Sequence, residues 1–254
     1  MGEAVEERHF GGQVLEHLLH RVGLDVDVQE PRQALEGAPA GLAVPGVTGG
    51  GAHALHAAKR VASIESYIGL VEVGVGLIPA GGGLKEAALR AAADARGNDL
   101  LQFLKTYFTN AAMASVSKSA LEARQMGYLK PDDVIVFNPY ELLQVAKVEA
   151  RAMFDAGYRP PLPKLVPVAG RYAIGTIMMQ LVNMRDGGFI SAHDFKLGQM
   201  IASIVSGGDV DPGSLVSEQW LLDLERKAFM ELLNHPKTQE RIMGMMQTGK
   251  PVRN

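Results

Sequence analysis

Apolar residues return every three to four positions over most of the chain after Leu84, the spacing of one buried helix face. The spacing predicts a helix over "LKEAALRAAADARG", with Leu84, Ala88 and Ala91 or Ala92 on one face and Gly97 as its stop. "DLLQFLKTYFTNAAMA" reads as a second amphipathic helix, and Ser117 to Met126 as a third that ends at Gly127. "DDVIVF" is a short buried strand. Asn138 then caps the helix of "NPYELLQVAKVEARAMFDAG", with Pro139 in its first turn. Four prolines in "YRPPLPKLVPVAG" exclude a helix or a central strand, so this stretch is an ordered crossing segment. Three helical stretches follow, "RYAIGTIMMQLVNMRDGG", "SAHDFKLGQMIASIVSGG" and "SEQWLLDLERKAFMELLNHPKTQERIMGMMQTGKP". The last breaks near Asn234 to Pro236, because a residue before proline avoids helical geometry.

Upstream the pattern is different. "LHAAKRVASIES" starts helical and runs into "YIGLVEVGVGL", which is strand-like and then punctuated by glycines. Before Leu55 there is no Lys, no Tyr and no Met beyond Met1, while His9, His17, His20 and His53 crowd there. "VLEHLLHRVGL" has the spacing of a short amphipathic helix, and "EPRQALEGAPAGLAVPGVTGGG" that of a loop or disordered stretch. Residues 1–48 are expected to form a poorly defined N-terminal segment. No repeat and no long heptad pattern is present.

Composition narrows the classes. The chain has 254 residues, 47% hydrophobic and 21% charged, with a formal net charge of −3. It carries no basic excess for nucleic acid and no apolar run long enough for a membrane span. It contains no cysteine, which removes disulfides, thiolate zinc sites and thiol nucleophiles and fits a cytoplasmic protein without a signal peptide. No His/Asp/Glu cluster has metal spacing. "GVGLIP" lacks the third glycine of a dinucleotide fingerprint, and no Gly-Lys-Ser/Thr follows the glycines, so NAD and nucleotide triphosphates are not expected. His193-Asp194 reads as a helix start capped by Ser191 rather than a catalytic dyad, and no nucleophile elbow accompanies it. The methionine-rich "TIMMQLVNM" and "RIMGMMQ" read as core or helix contacts, although acyl pockets use the same chemistry.

One stretch holds candidate chemistry. In "SYIGLVEVGVGLIPAGGGLKEAALRAA", Glu72 lies between an apolar run and glycines that open into a helix. A glycine-rich helix start offers backbone N–H groups and a dipole end to an anion or a polarised carbonyl. That signal alone is weak. The longer span, Gly49-Gly50-Gly51, then Gly69 to Glu72, then Gly76 to Gly82, resembles the enoyl-CoA hydratase/isomerase (crotonase) superfamily. "SKSALEARQMGYLKPDDVIVFNPYELLQVAKVEA" is similar to that family's next section. The wording "GLVEVGVGLIPAGGG", the proline-rich stretch and "LERKAFMELLNHPKTQERIMGMMQTGKPVRN" resemble the C-terminal part of bacterial β-oxidation proteins that fuse a 3-hydroxyacyl-CoA dehydrogenase to a hydratase. The resemblance runs from about Leu55 to Asn254.

The resemblance implies an α/β fold: a partial crotonase-like ββα spiral core over 49–157, followed by a proline-rich crossing segment and helical region over 158–254. It implies hydration of 2-enoyl-CoA to 3-hydroxyacyl-CoA, with Glu72 as acid/base and the Gly50 amide as an oxyanion donor. Preorganised donors of that kind contribute about 3–4 kcal/mol each. The substrate is an acyl-CoA thioester; no cofactor is implied, and NAD belongs only to the fused parent. A homo-oligomer or a place in a parent complex is expected. A second glutamate normally follows the glycine triplet by two residues, where this chain has His53, one residue short of the usual spacing to Glu72. Reading Glu-Leu-Met codons one base out of register yields Ala-His, as at Ala52-His53, so residues 1 to about 54 are expected to be out-of-frame sequence. The second oxyanion segment has no match. Two outcomes stay open: a hydratase part with low or no activity in the isolated chain, or a catalytically inactive remnant used as a helical interaction module.

Overall fold

The structure, a computed structural model, describes residues 42–43 and 51–254, with side chains from Ala54 onward. Three short strands form a parallel sheet in the order β1 (Leu42–Ala43), β2 (Lys59–Ser63), β3 (Val134–Val136). Val61, Ala62 and Ser63 pair with Val134, Ile135 and Val136. Helix α1 (Gly51–His56) precedes β2, so the helical start read into "LHAAKRVASIES" ends at His56 and the strand begins at Lys59. The β-branched and small residues of β2 lie between two neighbours that satisfy its backbone on both edges, and that tertiary pairing outweighs local helix propensity.

A second correction concerns "YIGLVEVGVGL". Among the described residues it contains no strand, only an isolated bridge between Gly69 and Val116 and a 3-10 turn over Glu72–Val75. The turn closes at Gly76, whose φ of 79° is the left-handed conformation that glycine adopts without a Cβ penalty. Glu72 therefore opens a turn and does not end a strand.

The helices fall where the periodicity predicts them. They are α2 (Gly83–Ala95), α3 (Leu100–Ala112), α4 (Ala120–Gln125), α5 (Leu142–Asp155), α6 (Gly170–Asp186), α7 (Ala192–Val205), α8 (Glu218–Leu233) and α9 (Pro236–Thr248). Several starts are capped by side chains, Ser191 and Asn138 among them as the sequence suggests. Asp99, Ser119, Ser191 and Ser217 each accept a backbone N–H two or three residues on, Asn138 does the same for the 3-10 turn Pro139–Glu141 that leads into α5, and Ser191 with Asp194 closes a reciprocal capping box. The break between α8 and α9 falls at Asn234 and His235, directly before Pro236. The proline-rich stretch supplies one short edge strand, β4 (Val166–Pro167), antiparallel to β5 (Leu215–Val216).

The largest core joins α2 and α3 to α6–α9. Leu84, Leu104, Ile177, Leu197, Ile201 and Leu232 are among its fully buried members, each worth about 1.5–3 kcal/mol of burial. Val73, Leu77 and Ile78, from the turn after Glu72, sink into the same core. The C-terminal helices and the Glu72 segment are thus parts of one packed unit. A smaller core of Leu55, Ala62, Ile68, Leu70, Ala120, Ala123, Tyr128 and Leu129 lies between the sheet and α4.

Candidate active site

Glu72 heads its 3-10 turn with backbone bonds on either side: Gly74 N–H donates to Val71 O at 2.9 Å and Leu77 N–H to Glu72 O at 3.1 Å. Apolar neighbours Val73 and Leu77 pull the turn inward and take the carboxyl part of the way with them. Glu72 Oε2 is buried and has no hydrogen-bond partner among the described residues. Burial raises the carboxyl above its ordinary value of 4.5, and backbone N–H donors at Val71 and Glu72 itself only partly oppose that. Nearby Tyr128 is pushed up to about 12, by burial first and also by the Glu72 charge. A carboxyl held this way keeps its proton to higher pH than an exposed glutamate, which suits acid/base work. A Cβ placed on Gly74 meets nothing within 4 Å, so open space adjoins the turn.

The glycine stretch that follows is already occupied. Gly82, at φ 84°, caps α2 and has no side chain with which to satisfy the first-turn N–H groups. Glu225 of α8 does so instead. Its Oε2 accepts Gly82 N–H at 2.9 Å and its Oε1 accepts Lys85 N–H at 2.6 Å. Burial raises Glu225 to about 7 even with these donors and the Lys85 ammonium nearby. The dipole end that the sequence offered to a ligand anion is thus used by an internal carboxylate.

Lys85 turns its ammonium away from Glu225 to His56 Nδ1 at 3.1 Å, Glu86 Oε1 at 2.7 Å and Glu218 Oε2 at 3.0 Å. Burial opposes ionisation of Glu86, but His56 and Lys85 overcome it and hold that carboxyl well below the usual range. His56 Nε2 also bonds Gly81 O at 3.1 Å. His56 therefore braces the glycine turn, a role its place on a short helix did not announce.

At the start of β2 and β3, Arg60 and Asp133 form a buried pair at 2.7 Å, and Asp133 also accepts Arg60 N–H and Lys130 N–H. Arg60 and Arg90 both donate to Leu55 O, at 2.9 and 3.0 Å, fixing the end of α1 against β2 and α2. A small crevice lined by Leu55, Leu70, Ala87, Arg90, Tyr107 and Tyr128 adjoins them.

Gly50 lies outside the described residues, so its relation to Glu72 is not part of this geometry. The backbone of His53 is in α1, and its side chain is likewise outside the description. Helix α1 starts at Gly51, the last glycine of the Gly49-Gly50-Gly51 triplet. His193 and Asp194 do not pair: His193 meets Thr238 and Asp194 meets Ser191 and Arg241. Among the described residues no three His, Asp or Glu side chains are grouped to hold a metal, and no helix is long and apolar enough to cross a membrane. Glu225 was missed. Its signal was a carboxylate on the apolar stripe of α8, with Leu221 four positions before it and Leu232 seven after.

The chain is 43% identical over 207 residues to the "Probable 3-hydroxyacyl-CoA dehydrogenase" of Bacillus subtilis (strain 168), covering 81% of the chain and 26% of the relative. It spans about a quarter of that relative's length. Among solved structures, a carnitinyl-CoA dehydratase from Mycobacterium thermoresistibile matches with TM-score 0.50 and 16% identity, covering 82% of this chain and 61% of that one. A carnitinyl-CoA dehydratase from Mycobacterium avium 104 matches with TM-score 0.46 and 20% identity over 80% of this chain and 58% of that one. No family model matches the chain. The chain has the fold of the enoyl-CoA hydratase/isomerase (crotonase) superfamily, a partial core with a helical C-terminal region, and its sequence is similar to part of a 3-hydroxyacyl-CoA dehydrogenase.

Proposed function

We propose that this chain provides the Glu72 acid/base of an acyl-CoA site that hydrates 2-enoyl-CoA to 3-hydroxyacyl-CoA in fatty-acid β-oxidation. The observation that supports this reading is the half-buried Glu72 carboxyl, with one oxygen unpartnered and its proton affinity raised by burial. Hydration adds the oxygen of water to C3 of the enoyl thioester and a proton to C2. Glu72 takes up or delivers that proton, and backbone amides, Gly50 among them, hold the thioester oxygen as negative charge gathers there. The Gly50 role comes from the family resemblance.

The test is crotonyl-CoA hydration by the full chain, followed as loss of the conjugated enoyl absorbance, with Glu72→Gln alongside. Slow hydration that disappears in the variant is the expected result. Absence of hydration in the wild-type chain, or equal rates in both proteins, overturns the reading.

A second reading, an inactive helical interaction module, is favoured by one observation. Phe137, Tyr140, Leu143 and Phe154, in and beside α5, are all largely exposed, Tyr140 at 95%.

A further inference from the structure

We propose that Thr238, on α9, is a positioning residue for Glu72, holding the Glu72 turn by a buried hydroxyl bond to Gly76; this rests on the catalytic reading of Glu72 given above. Thr238 is fully buried, and its Oγ1 donates to Gly76 O at 2.8 Å across 162 residues of chain. Gly76 is the closing residue of the turn that Glu72 opens, and its own N–H donates back to Val73 O at 3.0 Å.

The hydroxyl has one proton, and that proton goes to Gly76 O. His193 Nε2, 3.0 Å from Thr238 Oγ1, must then be the donor in the second bond. The result is a directed chain, His193 Nε2–H to Thr238 Oγ1–H to Gly76 O. The chain suits a neutral imidazole: burial, and next the Arg241 charge, push His193 down to about 4, and His235 stacks on it at 4.6 Å. Arg241, one turn further along α9, lies against the same segment, with Nη1 3.5 Å from Val73 O and 2.8 Å from Asp194 Oδ1.

Space at this contact is tight. A Cβ on Gly76 would lie 3.1 Å from the Cα of Thr238 and 3.2 Å from His193 Nε2. The backbone of the turn is thus pressed against α7 and α9, and small displacements there reach Glu72 four residues away. A single aliphatic contact would leave the turn free to slide; the hydroxyl bond fixes its register as well as its depth.

The experiment compares full-length wild type with Thr238→Val, which keeps the shape and removes the hydroxyl, and Thr238→Ser, which restores it. Two quantities are read: the Glu72 carboxyl titration by side-chain 13C NMR, assigned with Glu72→Gln, and kcat and KM for crotonyl-CoA. The expectation is that Thr238→Val moves the Glu72 midpoint back toward 4.5 and lowers kcat about tenfold with KM within about twofold, while Thr238→Ser returns both to wild type. A folded Thr238→Val with wild-type midpoint and kcat overturns the proposal, as does a Thr238→Ser that fails to rescue. If Thr238→Val does not fold, Thr238→Ala is read by the same criteria. If the wild-type chain shows no Glu72-dependent hydration, the functional reading has failed. The titration then still decides the positional claim by itself, because an unmoved midpoint refutes it and a moved, rescued midpoint upholds it.

Discussion

Glu225 Oε2 accepts the backbone N–H of Gly82 at 2.9 Å, joining two residues 143 positions apart. Glycine at the head of α2 leaves that helix without a cap of its own, and a carboxylate from α8 completes it. The helix start most suggestive of ligand binding in the sequence is in this way tied to the C-terminal region.

Removal of that carboxylate strands two buried donors. Glu225→Ala is expected to lower the free energy of unfolding by about 2–4 kcal/mol, since each orphaned buried N–H costs about 1–3 kcal/mol. Urea titration at pH 6 measures it. The pH dependence has a definite sign. A carboxyl raised from 4.5 to about 7 on folding keeps its proton longer in the folded chain, so its contribution is whole below pH 4.5 and lost as pH rises through about 7. Relative to Glu225→Gln, the wild-type chain should lose stability between pH 4.5 and 7 and run parallel to it above pH 8.

Glu72 follows the same sign rule. Its raised carboxyl makes the ionised form a cost to the fold at neutral and alkaline pH. Glu72→Gln is therefore expected to be more stable than wild type at pH 8, as substitutions of functional groups often are, and to lose that advantage at pH 4. Thermal melts at the two pH values decide it; a variant less stable at pH 8 contradicts the burial account.

The Arg60–Asp133 pair is buried on both sides. Asp133→Ala leaves a guanidinium without its counter-charge and is expected to cost about 3–5 kcal/mol. A double replacement, Arg60→Met with Asp133→Ala, should cost less than the single one, because no uncompensated charge then remains. Denaturant unfolding of the three proteins forms the comparison.

Gly82 tests the packing of the glycine turn. A Cβ there would lie 2.4 Å from the His56 ring, at a backbone φ of 84°. Gly82→Ala is expected to cost about 2 kcal/mol or more, part from the left-handed backbone and part from displaced His56. In the His56→Ala background the cost should shrink to the backbone part alone, which a double-mutant cycle in urea isolates.

The legible parts of the fold were those with local causes. Helix positions after Leu84 follow apolar spacing, and ends follow local signals such as the Ser191 cap and the break before Pro236, which act within one turn. Glu72 stands out in the sequence through its motif, though the segment around it reads as strand-like there. "YIGLVEVGVGL" alternates apolar residues well enough to form a strand, yet among the described residues it bridges only Val116, through Gly69, and it closes into a turn at Glu72. The partners of Thr238 and Glu225 were not legible, because nothing near them in sequence states what they bond.

The sequence by itself determined where helices start and stop, the absence of thiol chemistry, and a candidate carboxylate beside a run of glycines. Only the tertiary structure decided that Glu72 is drawn inward with an unpartnered oxygen, that Glu225 and not a ligand occupies the N–H groups of Gly82 and Lys85, and that Thr238 bonds Gly76. The physical reason is range. Capping and periodicity act over a few residues, whereas burial and its effect on a proton depend on which distant surfaces the whole chain brings together.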